Sequence, residues 1–302
     1  VQLLPSLSAY FGVTIDALFA LSDETRMERI QNMIWDERFI TPAVLEQEEA
    51  FLLEKARREP ANGQPCELLA DLENHTARAH RARAAEFARE ALTRQPDLRN
   101  AHQELVQAMG GAPVDWCQNN VYRLIDWYKE FVEKNPGLRN GYQWLLNQLI
   151  NTGRVEEAKT YLERMEKVDG TFRTPLYRGH LAKASGSHAE ALEIWEQMCR
   201  DYPDEWCVQL SMGDIMSRMG RYEEAKACYR RALELQEPPR YTDALCSTAI
   251  VCELQGDYAG AVAALEEEIA LLASEWDTVS GETVDERRRE ILRLKGKMTE
   301  HP

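Results

Sequence analysis

Gly153, Gly186, Gly220 and Gly256 stand 33, 34 and 36 residues apart, and no other feature of this chain restricts its fold as much. Each glycine separates two segments of about 12–16 residues in which apolar side chains recur at i, i+3, i+4 and i+7, the period of one helical face. A second set of breaks, at Pro60, Pro96, Pro136, Gly170, Pro203 and Pro238, separates one pair of segments from the next. Proline is tolerated at such points because a helix has just ended. The repeating unit is therefore helix, glycine turn, helix, break. One unit of this size cannot cover its own apolar face, so the pattern folds only by stacking unit on unit. Strand signals are nearly absent: no alternating run rich in Val, Ile and Thr occurs, and no Asn-Gly or Asp-Gly turn joins two such runs. At 302 residues the chain is long for one compact core, a requirement that an extended stack removes.

The clearest unit reads WCVQLSMGDIMSRMGRYEEAKACYRRALELQEPP, from Trp206 to Pro239. Gly213 is the small residue of its first helix, where a close neighbour would leave no room for a side chain. Gly220 makes the turn, and Ala225, Tyr229 and Ala232 line one face of the second helix. The preceding unit matches through Gly179, Gly186, Ala191, Trp195 and Met198, the following one through Ala249, Gly256, Tyr258, Ala261 and Leu265, and that from Arg139 to Gly170 through Leu146, Gly153, Ala158, Leu162 and Met165. This pattern resembles the tetratricopeptide repeat. The resemblance implies an all-α, right-handed superhelix of about seven tetratricopeptide-like helix pairs. Upstream units are more degenerate: Arg99 to Pro136 carries extra residues in its turn, Pro65 to Pro96 keeps Ala84, Ala88 and Ala91, and Glu24 to Pro60 pairs two helices with Thr41 as N-cap and Pro42 at the first helical position. A charged last helix, from about Glu282 to Lys297, is expected to cap the open apolar end.

The first residues do not follow the repeat. Leu4-Pro5-Ser6-Leu7-Ser8-Ala9-Tyr10-Phe11-Gly12-Val13-Thr14-Ile15-Asp16-Ala17-Leu18 resembles the end of a Cro-type (xenobiotic-response-element class) helix-turn-helix domain, LP-x-L-A-x-x-F-G-V-S-x-D-x-L. The chain begins at Val1 rather than Met and is expected to be part of a longer protein. The expected division is a helix-turn-helix remnant over 1–21, a repeat array over 22–281, and a capping helix and tail over 282–302. This layout is similar to bacterial transcription regulators of the peptide-sensing RRNPP type. The resemblance implies a body that binds a peptide or protein partner, forms a homodimer, or both, with DNA contacted only through the N-terminal head. A constitutive dimerisation scaffold and a general protein–protein adaptor are the alternatives.

Composition narrows the function. A net charge of −15 has the wrong sign for counterion release on a phosphate backbone, so this part of the protein is not expected to bind nucleic acid by itself. Seven cysteines with no C-x-x-C pair point to reduced thiols in a cytoplasmic protein. No apolar run reaches the roughly 18 residues of a membrane span. No H-E-x-x-H, P-loop, G-x-S-x-G or G-x-G-x-x-G motif occurs, so no catalytic residue, metal site or cofactor is expected. Acidic pairs such as Glu156-Glu157 follow turn glycines, where carboxylates favour the dipole of the starting helix.

In tetratricopeptide arrays the first helix of each pair lines the concave groove. Two of these helices here are near copies, and their groove-facing sets are Asn100, Gln103, Gln107 and Asn140, Gln143, Asn147, Asn151. Amides both donate and accept, which suits the backbone of an extended peptide. Solvated helix faces favour Glu and Lys over Asn, which sets this stripe apart from an ordinary polar face. Trp144 lies beside the stripe and could stack on a ligand. Later units add Arg173, His180, Lys183, Asp214, Ser217, Arg218 and Glu253, where the cations could meet a peptide carboxylate. Most of the seven tryptophans are expected to pack in the core, Trp195 at the repeat's aromatic position.

Overall fold

A computed structural model describes residues 22–109 and 121–300. The expected helix-turn-helix remnant, residues 1–21, lies outside the described residues, as does the irregular turn containing Trp116. Among the described residues there are fourteen α-helices and no strand. The chain divides into two compact units, residues 1–112 with 280–286 and residues 113–279 with 287–302.

The first unit contains α1 (Asp23–Asp36), α2 (Pro42–Arg58), α3 (Gln64–Arg94) and α4 (Arg99–Ala108). Ser22 starts α1 by accepting a hydrogen bond from the Thr25 N–H at 3.2 Å, and Asp23 and Glu24 in the first turn complement the helix dipole. Thr41 is the N-cap residue of α2 and Pro42 its first helical residue, but the Thr41 hydroxyl makes no capping hydrogen bond. Ile30, Ile34, Leu52, Leu68 and Leu72 form the core. Lys55 is buried beside it and donates to Glu59 at 2.8 Å and to Asp23 at 3.3 Å. The segment expected to form a helix pair between Pro65 and Pro96 is instead one continuous helix of 31 residues. Its middle, ADLENHTARAHRARAAEF, has neither glycine nor proline and is rich in good helix formers, so nothing opens a turn.

The second unit holds α5 (Val121–Lys134), four regular pairs and the closing helix. The pairs are α6 (Arg139–Asn151) with α7 (Val155–Met165), α8 (Arg173–Ala184) with α9 (His188–Asp201), α10 (Trp206–Arg218) with α11 (Tyr222–Glu234), and α12 (Asp243–Leu254) with α13 (Tyr258–Glu275). α14 (Glu282–Glu300) belongs to this unit from residue 287 onward. The four periodic glycines close the first helix of each pair in one way. All have positive φ, between 72° and 88°. The glycine N–H bonds the carbonyl three residues back, and the next N–H bonds the carbonyl five back, as in Gly153 to Ile150 at 3.1 Å and Arg154 to Leu149 at 2.8 Å. That double closure needs a left-handed residue, which glycine supplies without steric cost.

Packing inside a pair depends on a glycine facing an aromatic ring. A side-chain carbon on Gly179 would collide with the Trp195 indole, and one on Gly213 with the Tyr229 ring. Both rings are almost fully buried. The Trp195 Nε1–H donates to the Leu176 carbonyl at 3.1 Å, and the Tyr229 hydroxyl donates to Asp214 Oδ1 at 2.8 Å, so neither polar group is stranded. α14 covers the last pair: Ile291 and Leu294 join a core with Ala261 and Leu265. Arg287 reaches the fully buried Glu268 at 3.0 Å, and Glu253 accepts from Arg293 at 2.5 Å and Lys297 at 2.6 Å.

Candidate functional site

The candidate surface of the second unit lies on the first helices of its pairs, which meet one another, α6 with α8 and α10 with α12. On α6, residues 140, 143, 144, 147 and 151 fall within about 100° of helical arc. Asn140 and Asn151 are exposed, Gln143 and Asn147 half-buried, and Trp144 is 50% exposed. On α8, Arg173, Tyr177 and His180 share the face directed at the same region, with Lys183 at its margin.

Tyr177, which the sequence reading did not single out, ties these two helices together. Its ring is buried and its hydroxyl donates to Asn147 Oδ1 at 2.8 Å. Burial pushes its pKa up to about 12, despite hydrogen bonding with Asn147 and Gln143. Two amides of the stripe are thus partly committed to holding α6 against α8. Asn147 keeps its two N–H donors for another partner, whereas its oxygen is in use. The reach of a tyrosine across two helices depends on their separation, which the spacing of residues along one chain does not contain.

His180 packs edge-on against Trp195 at 5.2 Å and Tyr177 at 6.1 Å. Burial, with the positive charges of Arg218 and Lys183 nearby, lowers its pKa to about 4. The ring is therefore neutral at pH 7. Arg173, Lys183 and Arg218 make no ion pair among the described residues. Arg173 lies over the Phe172 ring at 4.9 Å. Most of their neighbours are paired: Arg178 bonds Glu166 at 2.6 Å, Arg221 bonds Glu224 at 2.6 Å, and Arg240 bonds Glu275 at 2.9 Å. Cations left free on one face of two adjacent helices, in an acidic chain, make a local positive field that attracts carboxylates.

The remaining candidates lie elsewhere. Asn100 and Gln107 are exposed on α4 of the first unit, and nothing is described for the Gln103 side chain. Glu253 is occupied by Arg293 and Lys297, which hold its carboxyl down to about 2. Two clefts of about 470 and 440 Å³ contain none of the candidate residues: the larger lies among α11, α12 and α13, the other at the equivalent place among α7, α8 and α9. No group of three His, Cys, Asp or Glu placed to hold a metal occurs among the described residues. Burial pushes the Cys199 thiol up to about 11 and raises those of Cys207, Cys228 and Cys252, so all four are held as thiols at neutral pH. No helix among the described residues is long and apolar enough to cross a membrane.

Helix pairs stacked on one another in sequence order define an α-helical repeat fold. The family model "Tetratricopeptide repeat" matches residues 204–274. Among solved structures, a tetratricopeptide repeat protein from Parabacteroides merdae is similar at 16% identity and a TM-score of 0.45, covering 91% of this chain and 98% of that one. Yeast Tom70 is similar at 12% identity and a TM-score of 0.43, covering 93% and 65%. YrrB, described as a tetratricopeptide protein with an unusual peptide-binding site, is similar at 14% identity and a TM-score of 0.33, covering 63% and 95%. No curated protein matches the sequence. The repeat assignment rests on the matched residues and on the glycine-closed helix pairs.

Proposed function

We propose that the second unit binds a peptide, or an extended segment of a protein partner, along the inner face of α6, α8 and α10. Amides of the Asn140–Asn151 stripe hydrogen-bond its backbone, and Arg173, Lys183 and Arg218 receive its carboxylates. The observation that carries this reading is the set of three cations that form no ion pair among the described residues, beside a half-buried neutral histidine. Positive side chains in a chain of net charge −15 have many carboxylates available, and among the described residues these three pair with none. The test is calorimetric titration of the chain with an aspartate- and glutamate-rich decapeptide and with its neutral amide counterpart. Arg218→Glu with Lys183→Glu should weaken the acidic peptide by about a hundredfold and flatten its salt dependence. Equal binding of both peptides, or no loss in the variant, overturns the assignment.

We further infer that this body serves a bacterial transcription regulator. Support comes from the Leu4–Leu18 pattern and its likeness to the end of a Cro-type domain. The full-length gene product should then bind DNA from its own promoter region in fluorescence anisotropy, and the acidic peptide should shift that affinity. A full-length protein that binds no DNA removes the regulator reading and leaves the groove reading intact. The competing occupant of the inner face is a second copy. A mass of twice 34.7 kDa by light scattering that reverts to one chain in Arg218→Glu favours the dimerisation scaffold.

A further inference from the structure

A second surface follows an aromatic recurrence. Trp206, Tyr241 and Trp276 are spaced 35 and 35 residues apart, and Phe172 precedes them by 34. Phe172, Trp206 and Tyr241 each fall at or just before the start of a first helix, and Trp276 directly follows the end of α13. The last three rings meet in a row. Trp206 stacks on Tyr241 at 5.8 Å and 24°, and Tyr241 leans on Trp276 at 5.7 Å and 47°. The row is held from behind. The Trp276 Nε1–H donates to the Arg240 carbonyl at 2.6 Å, Glu275 accepts from the Arg240 backbone N–H at 2.7 Å and from its guanidinium, and the Tyr241 N–H donates to the Gln236 side chain at 2.8 Å. Tyr241 is nevertheless 54% exposed and Trp276 37%. Large rings held in place yet left in water are unusual for a core and common at recognition surfaces.

The rim of this row is acidic. Asp204, Glu205, Glu237, Asp243 and Asp277 are all exposed and make no ion pair among the described residues. Glu205 precedes Trp206 as the N-cap residue of α10 and gives no capping hydrogen bond, so the helix does not use its carboxylate. Arg173, Glu205 and Asp243 all act on the Cys207 thiol, next to Trp206, so carboxylates of two successive pairs and one arginine stand around it. Arg240, next to Tyr241, is neutralised by Glu275.

We propose that this aromatic row docks an arginine-bearing extended segment of a protein partner. A guanidinium has a flat apolar face that lies against aromatic rings and a rim of N–H donors that meets carboxylates. Both halves of that chemistry are present here, ring by ring along successive repeats. The acidic rim repels nucleic acid, whose bases would otherwise stack on the same rings. The charge of this rim is opposite to that of the inner-face cations Lys183 and Arg218.

The test titrates the full chain with a decapeptide of alternating arginine and proline and with its glutamate–proline counterpart, following heat and the tryptophan emission. The arginine peptide should bind and the glutamate peptide should not. Tyr241→Ala should weaken binding by about tenfold and Tyr241→Phe by less than about twofold, because the ring face rather than the hydroxyl makes the contact. Glu205→Gln with Asp243→Asn should cost about tenfold and reduce the salt dependence. Arg218→Glu should leave this binding unchanged, which separates it from the inner face. The inference fails if the arginine peptide does not bind, if both peptides bind alike, or if Tyr241→Ala binds as well as the parent while its circular dichroism is unchanged. It also fails if Tyr241→Ala converts a dimer to a monomer, since the row would then belong to a second copy.

Discussion

Gly213 meets Tyr229 in the same way that Gly179 meets Trp195, and the first contact gives a direct measure of how much the pair depends on a missing side chain. Valine at 213 must push the Tyr229 ring out of a site where it is almost fully buried. Gly213→Val should therefore lower the unfolding free energy by about 2–3 kcal/mol in urea. Tyr229→Leu combined with Gly213→Val should recover part of the loss, and simple additivity of the two changes would show that they do not share the space. Histidine supplies a second test at this scale. The His180 pKa is lowered to about 4, and burial, with the charge of Arg78, also lowers that of His75. Both rings are neutral in the folded chain, while the unfolded chain takes up protons below about pH 6.5. The stability that His180 confers is complete above that pH and declines as pH falls from about 6.5 toward 4, and His75 acts in the same direction. For His180 the loss is on the order of 2–3 kcal/mol. His180→Phe keeps the ring packing and should remove most of the slope between pH 6.5 and 5. A slope unchanged in that variant would place the titration elsewhere.

At the scale of single helices, α14 shows how an array end is closed. The carboxylate of Glu268 is fully buried and Arg287 bonds it from the closing helix. Arg287→Ala leaves a buried charge without that bond and should cost about 3 kcal/mol, whereas Glu268→Leu with Arg287→Leu should be much milder, because burying an ion pair gains little over apolar packing. Equal losses in the two variants would mean that α14 is held mainly by Ile291 and Leu294. What the sequence revealed about the elements follows the same physics. The glycine period located four pairs and their turns, because a left-handed closure is a local demand that only glycine meets cheaply. α3 escaped the expected pairing because alanine spacing in ADLENHTARAHRARAAEF reads the same in one helix as in two, and only a break residue distinguishes them. The polar face of α6 was visible as a stripe. Its tie to Tyr177 was not, since the bond joins helices 30 residues apart in sequence. The aromatic row was present as a 34–35-residue recurrence of Phe172, Trp206, Tyr241 and Trp276 and was missed because tryptophan usually signals core.

For the whole molecule, the two units predict how it unfolds. The first has its own core around Leu52 and Leu72, and the second has one cluster around Leu146 and another that runs from Trp195 to Leu245. Stability in such an array is a sum of local terms, so a loss in one place is felt mainly there. Leu72→Ala and Leu146→Ala both empty fully buried sites and should each cost about 3 kcal/mol locally. Hydrogen exchange followed by mass spectrometry assigns the loss to peptides. Leu72→Ala should speed exchange in residues 23–108 and leave 139–275 near the parent rate, with the reverse for Leu146→Ala. A groove ligand should then slow exchange in α6, α8 and α10 by the same factor in the parent and in Leu72→Ala, because its contacts lie in the unit that this substitution does not weaken. If Leu72→Ala accelerates both sets of peptides equally, the chain unfolds as one cooperative body, and ligand protection must be sought over its full length.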